Sequence, residues 1–242
     1  MHAPNLLALE HALEKLLAHA REHRVGEDRV DHAAAALVLG AAAGDQLHDF
    51  AIVCEGDLVV LADALLARVS QLVSSAGVAA VIRTPRPGPA PQSVSSCLLL
   101  ENIQDPGNLG SILRTAVAAG VLHVFLSKGS VFAWAPKVIR AGMGAHFFLS
   151  IFEGVEVGEF THSFRGSVVA LEPRAEVSLY DLDLRGPVAW VLGNEGAGLS
   201  EGARRLATHR VRIPMPGPAE SLNVAAAAAI CLFEQIRQRS GK

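Results

Sequence analysis

The stretch from residue 97 to residue 119 decides the fold of the longer half of this chain: Cys97-Leu-Leu-Leu-Glu-Asn-Ile-Gln-Asp-Pro-Gly-Asn108-Leu-Gly-Ser-Ile-Leu-Arg114-Thr-Ala-Val-Ala-Ala119. It opens with an apolar run that predicts a strand over 97–103. A turn of Asp, Pro and Gly follows, and Asn108 is a candidate N-cap for a helix that extends to Ala119. We therefore expect a strand, a loop and a covering helix in succession.

Strand-like and helix-like stretches continue to alternate after this unit, as in a parallel sheet with helices packed on it. Further strands are predicted at 121–126, 146–151, 168–171, 188–192 and 211–213. Helices are predicted at 136–141, 199–208 and 222–239. The fold class predicted for residues 97–242 is therefore α/β with a parallel sheet.

A proline-rich segment precedes this half. Residues 84–96 contain four prolines and a glycine, which exclude a regular helix or a central strand and favour an extended linker. Residues 1–83 begin with an amphipathic helical pattern and continue with strand-like runs at 50–54, 58–61 and 78–82. We predict a small α/β domain over 1–83, a linker over 84–96 and a larger domain over 97–242.

Charge and hydropathy limit the possible partners. The net charge is −3, and the first 95 residues carry 7 Lys and Arg against 11 Asp and Glu. Bulk electrostatic binding of nucleic acid is therefore not indicated, and any such site must be local. The apolar runs are interrupted before the roughly 18 residues of a membrane span, and the N-terminus lacks the features of a secretory signal. We expect a cytoplasmic protein with no membrane association.

Cysteines and histidines do not indicate a metal site. Cys54, Cys97 and Cys231 are far apart and form no C-x-x-C pair, so we interpret them as reduced core residues rather than ligands or nucleophiles. His19 and His23 share a helical face, but no further ligand with metal-site spacing accompanies them. That pair is interpreted as a solvated helix face, and no metal is expected.

Three loops rich in Gly, Asn and Pro follow predicted strands, where open parallel sheets bind ligands. They lie at 102–114, 192–200 and 213–223. Each alone has an ordinary explanation, since glycines make tight turns and Ser221 could be a helix N-cap. The second loop has the spacing G-x-x-G-x-G, which differs from the dinucleotide fingerprint, and no Walker lysine is present. A dinucleotide-binding oxidoreductase and a P-loop NTPase are therefore disfavoured.

Taken together and in this order, the three loops resemble the motifs of the SpoU/TrmH family of RNA ribose methyltransferases, within the SPOUT class. The residues that match are Asn108 and Arg114 for the first motif, Gly193–Gly196 for the second, and Ser221, Leu222 and Asn223 for the third. Residues 136–147 are similar to the family's K-x-x-R-x-S-x-G-A stretch, with Gly142 where serine is usual. The first half is similar, more weakly, to the family's ribosomal-protein-like RNA-binding extension, best at residues 69–82.

The resemblance implies an α/β sheet whose C-terminal segment threads a deep trefoil knot, with S-adenosyl-L-methionine held against the knot loops. It implies two sets of cofactor-binding residues: the main chain of Gly193, Ile213 and Leu222, and the apolar side chains of Leu171, Leu192 and Met215. Glycine permits close approach of a ligand to the backbone, and an adenine face needs apolar contact more than charge.

The reaction implied by the resemblance is methyl transfer to a ribose 2′-hydroxyl of tRNA or rRNA. Arg114 is assigned to electrostatic stabilisation and phosphate positioning, because a guanidinium normally stays protonated. Glu195 is expected to orient Arg114 or to accept a proton, with an exposed turn residue as the alternative. Asn108, Ser221 and Asn223 are expected to supply hydrogen bonds.

The resemblance also implies a homodimer whose active sites combine residues from two chains, and the Ala-rich final helix would allow close helix packing. Four arginines form the one dense basic cluster in the sequence, which is either a phosphate track or a solvated helix face: Arg204, Arg205, Arg210 and Arg212. Two other functions stay open from the sequence. One is a catalytically inactive RNA-binding relative, and the other is an unrelated nucleotide-dependent oxidoreductase.

Overall fold

The computed structural model describes residues 35–37, 49–54, 57–62, 78–82, 84–85, 87–88, 94–158, 160 and 164–241. It divides into two compact units, Met1–Pro85 and Arg86–Lys242. Within the described residues, no helix is both long and apolar enough to cross a membrane. The predicted N-terminal helix and the pair His19 and His23 lie outside these residues.

The first unit contains a four-stranded sheet. Its strands are β1 (Ala35–Leu37), β2 (Asp49–Cys54), β3 (Asp57–Ala62) and β4 (Val78–Ile82). Their order in the sheet is β1-β4-β2-β3, with β2 and β3 antiparallel, β2 and β4 parallel, and β1 and β4 antiparallel. The three strands predicted in this half are present as β2, β3 and β4.

The second unit contains a seven-stranded sheet in which every neighbouring pair is parallel. Its strands are β5 (Ser96–Leu100), β6 (His123–Ser127), β7 (Ser150–Val155), β8 (Ser167–Leu171), β9 (Val177–Ser178), β10 (Val188–Leu192) and β11 (His209–Arg212). Their order in the sheet is β7-β6-β5-β10-β8-β11-β9. The parallel α/β class predicted for this half is confirmed.

The helices beside this sheet whose full length lies within the described residues are α1 (Pro106–Ala118), α2 (Pro136–Gly142), α3 (Glu201–Leu206) and α4 (Val224–Arg239). Helix α1 packs against both α2 and α4. All residues of the central strands β5 and β10 are buried, as expected for parallel strands covered on both faces. This arrangement places the carboxyl ends of β5, β8, β10 and β11 beside one another.

Cysteines and one polar network belong to the core of this unit. Cys97 and Cys231 are free and buried, and burial raises the pKa of the Cys97 thiol to about 12. The indole of Trp190 donates to the side-chain oxygen of Gln235 at 3.1 Å. The Gln235 amide donates in turn to the Ser96 hydroxyl, which fixes α4 on the sheet. Cys97 and Cys231 are therefore structural, as expected.

Two helix starts differ from the prediction. Helix α1 begins at Pro106 and is capped by Asp105, whose side chain accepts the Asn108 N–H at 2.7 Å, so the assignment of Asn108 as N-cap is wrong. Proline suits this first turn because its missing N–H has no helical partner there. Helix α4 is capped by Asn223 and not by Ser221.

The strand predicted at 146–151 is also wrong in its first half. Met143 and Gly144 both have positive φ and end α2, so residues Ala145–Phe147 form a 3₁₀ turn and β7 begins at Ser150. The apolar run predicted as the start of a strand therefore contains both buried and exposed side chains. Ala145 and His146 are buried, whereas Phe147 and Phe148 are exposed.

Candidate active site

The loop after β10 is a tight turn fixed by its own backbone. Asn194 and Gly198 exchange two backbone hydrogen bonds of 3.1 and 3.0 Å, and Gly198 has a φ of +71°. A Cβ on Gly193 would lie 2.5 Å from the backbone carbonyl of Gly198. Glycine is therefore required at 193 for the turn to close, and at 198 for its left-handed backbone.

The Asn194 side chain connects this turn to the neighbouring loop after β5. Its amide group donates to the backbone oxygen of Asn102 at 2.9 Å. Its oxygen accepts the N–H groups of Gly196 and Ala197 at 2.9 and 2.8 Å. One asparagine thus determines both the shape of the second loop and its distance from the first.

A buried carboxylate holds the other end of the same loop. Glu101, at the end of β5, is 6% exposed and accepts two bonds of 2.7 Å from Ser200, one from its N–H and one from its hydroxyl. Ser200 is also the N-cap of α3. Sequence analysis missed Glu101, although a carboxylate at the end of an otherwise apolar strand was a usable signal.

Three of the predicted catalytic residues are joined by hydrogen bonds. The Asn108 amide donates to Glu195 at 3.0 Å, and the Asn223 amide donates to the Asn108 oxygen at 2.8 Å. Asn108 lies in the first turn of α1, Glu195 in the loop after β10, and Asn223 at the start of α4. The three loops identified in the sequence therefore meet at this chain of bonds.

Glu195 forms no hydrogen bond or ion pair with Arg114 within the described residues, so the structure does not support the first of its two expected roles, and proton acceptance stays a prediction. Partial burial alone would raise the pKa of Glu195, but hydrogen bonds from the Asn108 side chain and from the N–H groups of Gln104 and Asp105 outweigh it and lower the pKa. Glu195 is therefore ionised at neutral pH. It stabilises the start of α1, a position that favours negative charge.

Arg114 lies on α1 two turns beyond Asn108, and its side chain is exposed. Its guanidinium forms neither a hydrogen bond nor an ion pair with any described residue. The group is thus free to bind an external oxygen anion. The chain of bonds among Glu195, Asn108 and Asn223 holds the helix that carries it.

Three of the predicted cofactor residues lie at the carboxyl ends of three adjacent strands. Leu171 ends β8, Leu192 ends β10, and Ile213 directly follows β11. Leu192 and Ile213 are buried, whereas Leu171 and Met215 are half-buried. The strand ends therefore bring residues from distant parts of the sequence to one edge of the sheet, as the loops predicted.

The third loop, residues 214–222, is largely exposed. Neither its main chain nor its side chains form a hydrogen bond within the described residues, so its N–H and C=O groups remain available to a ligand. Ser221 does not join the bonds around Asn108, and the side chain of Leu222 is 39% exposed. The roles expected of Ser221 and of the Leu222 main chain stay predictions.

The arginines of the cluster near this loop all have partners in the fold. Arg204 contacts Glu172 at 2.5 Å, Arg210 lies 4.0 Å from the same carboxylate, and Arg205 contacts Glu201 at 3.1 Å. The guanidinium of Arg212 donates to the backbone oxygens of Ala175 and Glu176. Each of the four arginines thus has a partner within the fold.

Gly142, which stands where the family pattern has serine, packs against a histidine. A Cβ at this position would lie 3.0 Å from Cε1 and 3.1 Å from Nδ1 of His146. The His146 Nε2 donates to the Ala133 carbonyl at 2.8 Å, and its buried Nδ1 has no hydrogen-bond partner among the described residues. Burial lowers the pKa of His146 more than this bond raises it, so the ring is neutral.

A model of the SpoU rRNA Methylase family matches residues 95–233, which include all three loops. This chain therefore belongs to the SpoU rRNA Methylase family, as its motifs predicted. The assignment excludes the alternative of an unrelated oxidoreductase.

One similar relative is the 23S rRNA (guanosine-2′-O-)-methyltransferase RlmB of Xylella fastidiosa (strain 9a5c). It is 42% identical over 146 residues, which are 59% of this chain and 59% of the relative. The match thus spans about three fifths of the length of that relative.

Two solved structures are also similar. The AdoMet-bound rRNA methyltransferase from Sinorhizobium meliloti has a TM-score of 0.66 and 31% identity, covering 72% of this chain and 69% of that chain. The SpoU methyltransferase AviRb from Streptomyces viridochromogenes, in complex with AdoMet, has a TM-score of 0.67 and 29% identity, covering 74% and 72%.

Proposed function

We propose that this protein transfers a methyl group from S-adenosyl-L-methionine to a ribose 2′-hydroxyl of RNA, either tRNA or rRNA. The observation that carries the proposal is the meeting of the three loops at Asn108, Glu195 and Asn223. Arg114, which has no partner in the described part of the chain, lies on helix α1 with Asn108. The named activity of the Xylella relative and the AdoMet complexes of the two structures support it.

The strand ends fit the proposed cofactor. Gly193 allows the Gly198 backbone to pack against it, which fixes the turn that the cofactor would contact, and Leu192 and Ile213 offer buried apolar surface beside it. The unpaired main-chain groups of residues 214–222 can bind the polar parts of an adenosine. Leu171, Met215 and Leu222 complete the proposed set. When bound, S-adenosyl-L-methionine supplies an electrophilic methyl group.

Arg114 is the proposed catalytic residue. Negative charge develops on the 2′-oxygen as the hydroxyl passes its proton to an acceptor and attacks the methyl group, and a fixed cation lowers the energy of that state. Arg114 can provide this charge and bind an adjacent phosphate through its planar donors. Asn108 and Asn223 act as positioning residues, and Ser221 remains a proposed hydrogen-bond donor. The proton acceptor is either Glu195, whose lowered pKa makes it a weak base, or solvent.

The proposed fold includes the trefoil knot of the SPOUT class, formed by the segment after β10. Its support is the path of the chain, which runs from β11 near one side of the sheet to α4, packed against α1.

We propose a homodimer as well. On the outward side of α4, Ala226 and Phe233 are exposed and Ile230 is half-buried, so small and apolar groups are available to a second helix.

The remaining parts of the proposal concern the first unit and the location of the protein. Residues 1–83 would bind RNA, residues 84–96 would link the two domains, and the cytoplasm would be the site of action. The buried, free thiols of Cys97 and Cys231 are consistent with a reducing compartment.

The decisive experiment compares 2′-O-methyl sites in total RNA from cells with and without this protein, followed by methyl transfer in vitro. We expect a specific site to lose its methyl group in the deletion strain and to regain it with purified protein and S-adenosyl-L-methionine. A protein that binds cofactor and RNA but restores no methyl group would instead be the inactive RNA-binding relative.

A further inference from the structure

One continuous segment of this chain has no acidic side chain. Between Asp105 and Glu153 the sequence contains two arginines and two lysines but neither Asp nor Glu, in a chain whose net charge is −3. The segment comprises α1, β6, α2 and the 3₁₀ turn Ala145–Phe147. Its surface is therefore positively charged where the protein as a whole is acidic.

The cations on α2 have no partners among the described residues. Lys137 and Arg140, one helical turn apart, are both exposed, and neither forms an ion pair with the described residues. This distinguishes them from the arginine cluster 204–212, whose members all have partners. Helix α2 also packs against α1, which carries Arg114. The free positive charge thus lies on helices next to the proposed catalytic residue.

Large apolar side chains continue the same surface. Phe147 is 73% exposed, Phe148 66% and Met143 70%, and all three lie within six residues after the end of α2. The two consecutive left-handed residues Met143 and Gly144 turn the chain sharply, which presents this group outward. Contiguous exposed apolar groups on a protein surface commonly mark a binding site.

We propose that Lys137, Arg140, Met143, Phe147 and Phe148, here called the α2 surface, bind single-stranded RNA next to the target nucleotide. The cations bind phosphates, and the two phenylalanine rings stack on unpaired bases, the combination that proteins use for single strands. This proposal rests on the proposed function, because it names the surface that holds the RNA while one ribose is methylated.

A second copy of this chain fits the α2 surface less well. A twofold contact through it would bring Lys137 and Arg140 of one copy close to the same residues of the other, and no carboxylate of this segment could pair with them. RNA has the opposite charge and offers flat apolar faces. Self-association through this surface is therefore the competing outcome in the test.

The test measures binding of a fluorescently labelled, mixed-sequence single-stranded RNA 20-mer to the full-length protein. The variants are Phe147→Ala with Phe148→Ala, and Lys137→Ala with Arg140→Ala. The matched controls are Tyr180→Ala, another half-exposed aromatic residue, and Arg185→Ala, an exposed arginine paired with Asp183. S-adenosyl-L-methionine affinity and light scattering are measured on every protein.

We expect the phenylalanine variant to bind RNA roughly 10-fold or more weakly, since each stacked base contributes about 1–3 kcal/mol. The lysine and arginine variant should bind more weakly and show a shallower salt dependence, by about 0.7 in log–log slope for each lost phosphate contact. The controls should match the wild type, and cofactor affinity should not change in any variant.

Three results would overturn the proposal. If the wild type binds RNA and both variants bind it equally well, the α2 surface does not contact RNA, and the proposed function is unaffected. The same conclusion holds if the phenylalanine variant changes only the association state. If the wild type binds cofactor but no RNA, the proposed function fails together with this inference.

Discussion

The Asn223 side chain joins helix α4 to helix α1, the last and first helices described in full in the second unit. Its oxygen accepts the N–H groups of Ala225 and Ala226 at 2.9 and 3.2 Å, and its amide donates to Asn108 at 2.8 Å. One side chain therefore caps α4 and positions Asn108, which is itself bonded to Glu195.

These two roles of Asn223 can be separated by substitution. Asn223→Asp keeps a good N-cap but places a carboxylate oxygen against the Asn108 oxygen, so we expect methyl transfer to fall while the melting temperature changes little. Asn223→Ala removes both functions and should also cost about 1 kcal/mol of stability. Thermal unfolding and single-turnover rates measure the two effects. Equal activity of Asn223→Asp and wild type would show that the contact has no catalytic importance.

Arg114→Ala should abolish most methyl transfer while leaving cofactor affinity and the association state nearly unchanged. Loss of one oxyanion-type contact typically reduces the rate about 10²- to 10³-fold. Arg114→Lys should restore little, because a point charge does not reproduce a planar pair of donors. Turnover on the mapped RNA site, with cofactor titration as a control, measures this. A near-normal rate for Arg114→Ala would refute the mechanism, although not the family assignment.

Substitution of Glu101 should weaken cofactor binding through the loop that it holds. Glu101→Ala removes the acceptor for both Ser200 donors, and hydrogen bonds to a charged group contribute about 1.5–3 kcal/mol. Glu101→Gln can still accept one bond and should lose less affinity.

The double variant with Ser200→Ala tests whether Glu101 acts through Ser200, since coupled residues lose less together than the sum of their separate effects. Ser178→Ala, which removes a cap elsewhere, is the control. Additive effects of Glu101 and Ser200 on cofactor affinity would contradict the proposed coupling.

Gly193→Ala should be poorly tolerated, because the new Cβ would lie 2.5 Å from the Gly198 backbone. We expect a loss of about 1–3 kcal/mol in stability and weaker cofactor binding, since the turn must open. Gly196→Ala is a close control in the same loop, because its Cβ would meet only the Asn194 side chain at 3.6 Å. If calorimetry gives both variants the same cofactor affinity, the close packing of Gly193 against the Gly198 backbone is not important for cofactor binding.

Local patterns in the sequence predicted much of the second unit. Buried parallel strands such as Val188–Leu192 are continuous apolar runs, and their ends are visible as Gly, Asn and Pro. The three loops could be located because Gly, Asn and Pro mark the ends of these strands, and the motifs in the loops indicated the family. Short elements were less predictable. Met143 and Gly144 reverse the chain within an apolar run, and no local pattern distinguishes the exposed Phe147 from a core residue.

The sequence by itself determined the family, the parallel sheet and the loops that carry the site. Only the tertiary structure decided which side chains pair, because the partners lie far apart in the chain: Glu195 bonds to Asn108 and not to Arg114, and Arg204 bonds to Glu172. The arginines in the sequence do not reveal which guanidinium groups pair with a carboxylate in the fold. Free charge depends on the distance between side chains, and the folding of the sheet sets that distance.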